Sequence, residues 1–217
     1  MINVDGSTTH HRNDLHLMRR LWHVSMGLVI VGVYQWFVTH QEALKILAGF
    51  LCLTLVIEWL RLRNKHFNEK VLRFWGPLIR DCEVKHLSGA TYYILGALFT
   101  IAIFPKTIAV LALTYLAVGD PLASVVGILT KNKTNLIWKN GKSLLGTLAA
   151  SIACALVSWF YMDTHTLQFA FLSVLGGAAG GFSELISSDF KLDDNLAIPV
   201  FSGAMLWFLF SAFSIPM

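Results

Sequence analysis

Long, unbroken apolar stretches dominate this chain, and they recur seven times: Leu21 to Thr39, Ala43 to Leu60, Ser88 to Phe104, Thr107 to Leu129, Ser143 to Tyr161, Leu167 to Ile186 and Leu196 to Ile215. About 20 apolar residues at 1.5 Å each cross about 30 Å of hydrocarbon, so each stretch reads as a helix that spans a bilayer. A membrane barrel would instead show about ten-residue segments of alternating polarity. The pattern predicts an all-α polytopic membrane protein with about seven transmembrane helices, the third and last being short, tilted or partly re-entrant.

Lys and Arg in the connections orient the spans. Arg12, Arg19 and Arg20 precede the first; Arg61, Arg63, Lys65, Lys70, Arg73, Arg80 and Lys85 fill the second connection; Lys131, Lys133, Lys139 and Lys142 fill the fourth. The alternate connections, His40 to Glu42, Pro105 to Lys106 and Met162 to Thr166, hold one Lys between them. The N-terminus is therefore expected in the cytoplasm and the C-terminus outside. The formal net charge of +4 is read as topology plus attraction to anionic headgroups, with no nucleic-acid partner. Residues 1–16 form a polar tail, in which Thr8 to Arg12 with His10 and His11 is expected to be disordered; 17–217 form a single transmembrane catalytic domain. No A-x-A site precedes the first span, which is read as an uncleaved helix. Cys52, Cys82 and Cys154 have neither metal-ligand spacing nor the look of a disulfide framework.

Between the second and third spans, Phe67, Val71, Phe74, Trp75 and Leu78 recur at helical spacing while Glu69, Lys70 and Arg73 fall elsewhere. This suits an amphipathic helix lying at the headgroup level, as an anchor or as a guard of lateral lipid access.

The richest chemistry lies between Gly119 and Thr147. Pro121 disfavours helical geometry in the residue before it, so a break in the fourth helix is expected at Gly119 and Asp120, with Asp120 capping a second half-helix. At 1.5 Å per residue from Thr107, Asp120 lies roughly two-thirds of the way across, toward the cytosol. A carboxylate there serves as a cap, as a Mg²⁺ ligand or as a base for a substrate hydroxyl. Ala123, Ser124 and Gly127 allow close approach, of a helix or of a substrate. After Asn140 and Gly141, Lys142 and Ser143 open the fifth span, where free backbone N–H groups and an ammonium make a phosphate site. The triplet Gly141-Lys142-Ser143 is not a Walker A motif, since Leu136 stands where the first glycine is required. Lys131, Lys133 and Lys139 enrich that loop in charge or simply mark topology.

Other ionisable groups fall on the same inner side. Arg19 and Arg20 are topology anchors or a guanidinium pair for phosphate oxygens. His23 is an interface residue or a participant in chemistry. Glu184, Asp193, Asp194 and Asn195 cap the last span or hold a metal or a nucleotide sugar. The run Gly176 to Gly181 is expected to be a tight helix contact. Cations along phosphates, a Mg²⁺ ion and an oriented hydroxyl are what phosphoryl transfer requires.

Taken in order, these segments resemble the CTP-dependent lipid kinases, the family of dolichol kinase, phytol kinase and the yeast-type diacylglycerol kinase, within the wider phosphatidate cytidylyltransferase-like membrane superfamily. The family pattern of GD followed by A and G, then K-S-x-x-G-[ST], is met by Gly119, Asp120, Ala123, Gly127, Lys142, Ser143, Gly146 and Thr147. RRLWHVSMGL supplies Arg19, Arg20, His23 and Gly27; EWLRLR supplies Glu58 and Arg61; EVKHLSGATYYILG supplies Glu83, Gly89, Thr91 and Tyr92. FSELISSDFKLDDNLAIPV supplies Glu184, Asp193, Asp194, Asn195 and Pro199. Two departures stand out: Leu145 replaces a Glu frequent in dolichol kinases, and Leu129 to Lys133 lacks a second glycine.

The resemblance implies transfer of the γ-phosphate of CTP to the hydroxyl of a membrane lipid alcohol, diacylglycerol slightly preferred and polyprenol or dolichol next. Lys142 with Arg19 or Arg20 would bind phosphates, together with Ser143, Gly146, Thr147 and Asn195. Asp120 would bind Mg²⁺ or take the hydroxyl proton, and Asp194, Asp193 and Glu184 would serve the metal, for which Ca²⁺ is a possible replacement. His23, Glu58, Arg61, Glu83, Thr91, Gly119, Ala123 and Gly127 would support the site. The enzyme would sit in the cytoplasmic membrane of a bacterium or the endoplasmic reticulum of a eukaryote, with its site facing the cytosol, as a monomer or homodimer. A phosphatidate cytidylyltransferase that makes CDP-diacylglycerol, and a small membrane transporter, are the alternatives.

Overall fold

A computed structural model describes residues 17–130, 142–162, 166–187 and 192–215. Those residues form eight α-helices: α1 (Leu17–Trp36), α2 (His40–Arg63), α3 (Lys65–Trp75), α4 (Gly89–Ile103), α5 (Lys106–Leu129), α6 (Leu144–Tyr161), α7 (Leu167–Ser187) and α8 (Asp194–Ala212). Two short 3₁₀ turns, Gly76–Leu78 and Asp81–Lys85, link α3 to α4. The lysines 131, 133 and 139, the Asn140-Gly141 pair and the N-terminal tail lie outside the described residues.

Seven helices coincide with the seven apolar stretches. Five of them, α2, α5, α6, α7 and α8, are long and apolar enough to cross a membrane. The opening turn of α1 carries Arg19 and Arg20, and α4 has 15 residues, roughly 22 Å at 1.5 Å each, short of a full crossing. Helix α5 is the hub, packing on α1, α4, α6, α7 and α8. Its first half, Ile108 to Leu113, is fully buried in an apolar core with Tyr34, Leu47, Ile101, Leu172, Leu206 and Phe210. Polar side chains gather around its second half.

Large side chains face outward and small ones inward, as close helix packing without a hydrophobic drive between helices demands. On α6, Leu148, Ile152, Leu156 and Phe160 are exposed at four-residue spacing, while Gly146, Ala150, Cys154 and Ser158 are buried. The run from Gly176 to Gly181 packs on α6: a Cβ on Gly177 would stand 2.4 Å from the Ser151 carbonyl oxygen, and one on Gly181 2.0 Å from Ser151 Oγ. The predicted tight contact is there.

The expected break in the fourth helix is not. Helix α5 runs without interruption through Asp120 and Pro121, so Asp120 is a mid-helix residue and caps nothing. Proline removes one N–H donor and crowds the carbonyl four residues earlier, but a neighbouring helix can satisfy freed backbone groups. The carbonyl freed here is that of Ala117; His23 of α1 places Nε2 3.1 Å from the carbonyl oxygen of Leu116, one residue earlier.

Asn64 explains the turn from α2 into α3. It ends α2 in an extended conformation (φ −118°, ψ 105°), and its side chain accepts the Phe67 N–H to cap α3. The predicted amphipathic helix thus exists, with a different inner face. Val71 and Leu72 are half-buried, Trp75 meets Trp22 edge-on at 5.7 Å, and Phe74 is exposed. Arg61, only 1% exposed, ties the corner together by bonding Glu58 Oε2 at 2.6 Å, Asn68 Oδ1 at 3.4 Å, the Val84 carbonyl at 3.2 Å and the His86 carbonyl.

Candidate functional site

Side chains from five helices meet at the end of the bundle where α5 carries Asp120. The residues after Gly119 divide by helix face. Gly119 and Ala123 face α6, where a Cβ on Gly119 would lie 2.9 Å from Cys154 Sγ and one on Gly146 2.6 Å from the Ala123 carbonyl oxygen. Gly127 continues that stripe toward Ser143. These small residues therefore serve helix packing. Asp120 and Ser124, four apart, share another face and open into a cavity of ≈ 240 Å³ with Arg19, Arg20, His23, Arg80, Pro121 and Ile128.

The cavity is cationic. Arg20 Nη2 donates to Ser124 Oγ at 2.8 Å, whereas its Nη1 is buried with no hydrogen-bond partner among the described residues. Arg19 Nη2 lies 3.3 Å and Arg80 Nε 3.7 Å from Glu83 Oε1, so one buried carboxylate steers two guanidinium groups. Asp120 accepts no hydrogen bond from the described residues; its Oδ2 stands 3.9 Å from His23 Nε2. That nitrogen donates to the Leu116 carbonyl, which occupies it. The ring of His23 packs edge-on against Tyr93 at 4.8 Å. Gly27 makes room for this pair, since a Cβ there would stand 2.2 Å from the Tyr93 hydroxyl and 2.5 Å from Ala117 Cβ.

A second cluster lies beside the first. Lys142 Nζ is 2.7 Å from Glu184 Oε1 and 3.5 Å from Asp194 Oδ2; Thr147 Oγ1 reaches Glu184 Oε2 at 3.3 Å, and Ser187 donates to Asp194. Burial alone would lower the Lys142 ammonium, but Asp194 and then Glu184 outweigh it and hold the group above the ordinary lysine value. Asp120 also acts on that ammonium, so Asp120 and Lys142 belong to one electrostatic neighbourhood that includes Arg19 and Arg20. Ser143 caps α6 by accepting the Gly146 N–H at 3.0 Å. Asp193 caps α8 and accepts both the backbone and side-chain N–H of Asn195, which also bonds the Gly89 carbonyl at 3.2 Å. Burial pushes the Asp193 carboxyl up, against the pull of those bonds and of Arg80.

An apolar groove adjoins the polar cavity. It measures ≈ 340 Å³, lies between α1 and α2 beneath α3, and shares Arg19 and His23 with the cavity. Trp22, Met26, Ile57, Val71 and Trp75 line its outer part; Glu83, Ser88, Thr91 and Asn195 line its inner end. Glu58 and Arg61 are paired in its wall.

Every site residue expected from sequence is thus at or beside this end of the bundle, though not in one shell. Arg19, Arg20, His23 and Asp120 surround the cavity; Lys142, Thr147, Glu184 and Asp194 form the adjacent charge cluster; Gly119, Ala123, Gly127, Ser143 and Gly146 shape helix contacts. Glu58, Arg61, Glu83 and Thr91 bound the groove. Sequence reasoning gave Arg80 only a topological role, and nothing in its local pattern distinguishes it from its basic neighbours. Among the described residues no group of three or more His, Cys, Asp or Glu side chains could hold a metal ion. Asp120 is the one carboxylate among the residues lining the cavity.

The chain is similar to three proteins named CTP-dependent diacylglycerol kinase 1. It is 32% identical over 209 residues to that of Eremothecium gossypii, covering 87% of this chain and 65% of that protein. It is 27% identical over 208 residues to that of Saccharomyces cerevisiae, covering 87% and 71%. It is 33% identical over 154 residues to that of Schizosaccharomyces pombe, covering 66% and 70%. The chain therefore spans about two-thirds of the length of these relatives. No family model matches it, and no solved structure matches it.

Proposed function

Because the chain belongs to the CTP-dependent lipid kinase family, we propose that it transfers the γ-phosphate of CTP to the hydroxyl of a membrane lipid alcohol, with diacylglycerol ahead of polyprenols. The observation that carries this reading is the junction of a cationic cavity with an apolar groove through Arg19 and His23. A triphosphate suits the first and a lipid the second.

Arg20, Arg80 and Arg19 meet the phosphates, with the unpartnered Arg20 Nη1 the donor most in need of an oxygen. The lipid hydroxyl oxygen attacks the γ-phosphorus, the bond to the β–γ bridging oxygen breaks, CDP leaves and the hydroxyl proton passes to Asp120. In the alternative role Asp120 would hold magnesium instead of taking the proton, and the ion would neutralise charge on the transferring group. Lys142 holds Glu184 and Asp194 in place and adds its positive charge at the cavity's flank. Loop charge supports a cytosolic position for this end of the bundle, so CTP and lipid would converge at the inner leaflet.

Purified protein incubated with CTP or ATP and a panel of lipid alcohols and phosphatidate tests the proposal. Lipid monophosphate formed from CTP and diacylglycerol is the expected product. A CDP-lipid from phosphatidate would overturn it in favour of cytidylyl transfer, and solute flux without any lipid product would overturn it in favour of transport.

A further inference from the structure

The groove is larger than the cavity, and the transfer step uses none of its wall beyond Arg19 and His23. Resting on the kinase reading, we propose that the groove between α1 and α2, roofed by α3, holds the acyl part of an uncharged lipid alcohol and excludes a lipid that already carries a phosphate.

Helix packing creates the space. Helix α1 packs on α5 and on the Gly76–Leu78 turn, whereas α2 packs on α4 and α3, so the two consecutive helices have different partners and the groove lies between them. Its rim is apolar and exposed at Trp22, Met26, Ile57 and Trp75, on surface that an integral membrane protein presents to lipid. The edge contact of Trp22 with Trp75 joins α1 to α3 across that rim.

Charge then selects the occupant. Two cations and two carboxylates line the groove, and they are paired with one another: Arg61 with Glu58 at 2.6 Å and Arg19 with Glu83 at 3.3 Å. His23 spends its Nε2 proton on the Leu116 carbonyl. A phosphate drawn into the groove would lose its water without meeting a surplus cation, whereas an ester and a free hydroxyl ask only for hydrogen bonds. Ser88 and Thr91, whose hydroxyls lie 3.4 Å apart at the inner end, can supply those. More positive charge stands next door, where Arg20 and Arg80 join Arg19 around Asp120. An alcohol held in the groove therefore points its hydroxyl at the cationic cavity, and the new phosphate forms outside the groove.

The test uses the full-length protein in nanodiscs and a diacylglycerol with a photoreactive acyl chain. Labelling is expected on α1 from Trp22 to Ile30 and on α2 from Thr54 to Ile57, competed by plain diacylglycerol and not by phosphatidate of the same chains. Label on the outer faces of α6 or α8 instead, or equal competition by phosphatidate, would overturn the assignment. Ile57→Trp fills the groove and should raise KM for diacylglycerol about tenfold with KM for CTP unchanged, the pattern of lost ground-state binding. Val56→Trp, on the exposed face of α2 turned away from the groove, should leave both unchanged. An Ile57→Trp enzyme with unaltered KM would sink the groove and leave the kinase reading standing. Photolabelled groove residues in a protein that phosphorylates no lipid would do the reverse.

Discussion

In the proposed mechanism Asp120 carries the heaviest chemical burden, and in the structure it carries a light one. It accepts no hydrogen bond from the described residues, so Asp120→Asn should lower turnover by about 10²- to 10⁴-fold, the usual worth of a positioned base, with little change in the thermal midpoint. Parallel turnover and melting measurements check this; an active Asp120→Asn enzyme would remove the residue from the mechanism. Lys142 is the opposite case. Its removal leaves Glu184 and Asp194 uncompensated, and breaking a buried ion pair from one side costs about 3–5 kcal/mol. Lys142→Ala should therefore lose stability as well as activity, and Lys142→Ala with Glu184→Gln should melt higher than Lys142→Ala alone while staying inactive. Because the folded lysine titrates above its ordinary value, its contribution to stability is whole below about pH 10.4 and fades only as pH rises through the elevated folded value. A melting series should show no lysine-linked loss at neutral pH. Which residues were chemical was partly legible: Asp120 announces itself as an acid in an apolar run. Lys142 looks like a free phosphate ligand until its two carboxylates, 42 and 52 residues away, come into view. Arg80 looks like any loop cation until the fold brings it to the cavity.

Element boundaries followed from apolar length, and the clearest miss lies within an element. Pro121 pointed to a broken helix because sequence shows the lost donor and not the helices packed around it. Helix α1 packs on this part of α5, and its His23 bonds the Leu116 carbonyl from a separation of 93 residues. The proline now reads as a local disturbance that α1 supports from the side, and Pro121→Ala offers a test. Restoring the N–H should raise the unfolding free energy, by at most about 3 kcal/mol, the difference between proline and alanine inside a helix. The same substitution should lower turnover, because Asp120 and Ser124 lie on the face whose aim the proline sets. Unchanged stability would mean that the neighbouring helix compensates fully. The amphipathic helix α3 was legible by its spacing, but its inner face was not. Asn68 faces inward to Arg61 and Val84, and Phe74 faces out, because contacts with α2 and the loop decide what a single helix's pattern leaves open.

At the scale of the molecule, an apolar core fills one half of the bundle and charge gathers in the other. Arginine and lysine in the connections foretold which end would hold the polar groups; the groove between α1 and α2 was not foretold, since its walls come from helices whose angles no sequence pattern states. The proposed orientation makes its own prediction. In a cysteine-free background, a cysteine at Lys65 should react with a membrane-impermeant maleimide only from the cytosolic side, and one at Gln41 only from the other. The central claim is that a cytosolic triphosphate gives its terminal phosphate to an uncharged lipid at this junction. It is tested most directly by supplying the reconstituted protein with diacylglycerol and CTP radiolabelled at either the γ- or the α-phosphate. Label should enter the lipid from γ-labelled CTP alone; label entering from α-labelled CTP, or from neither, would contradict the account.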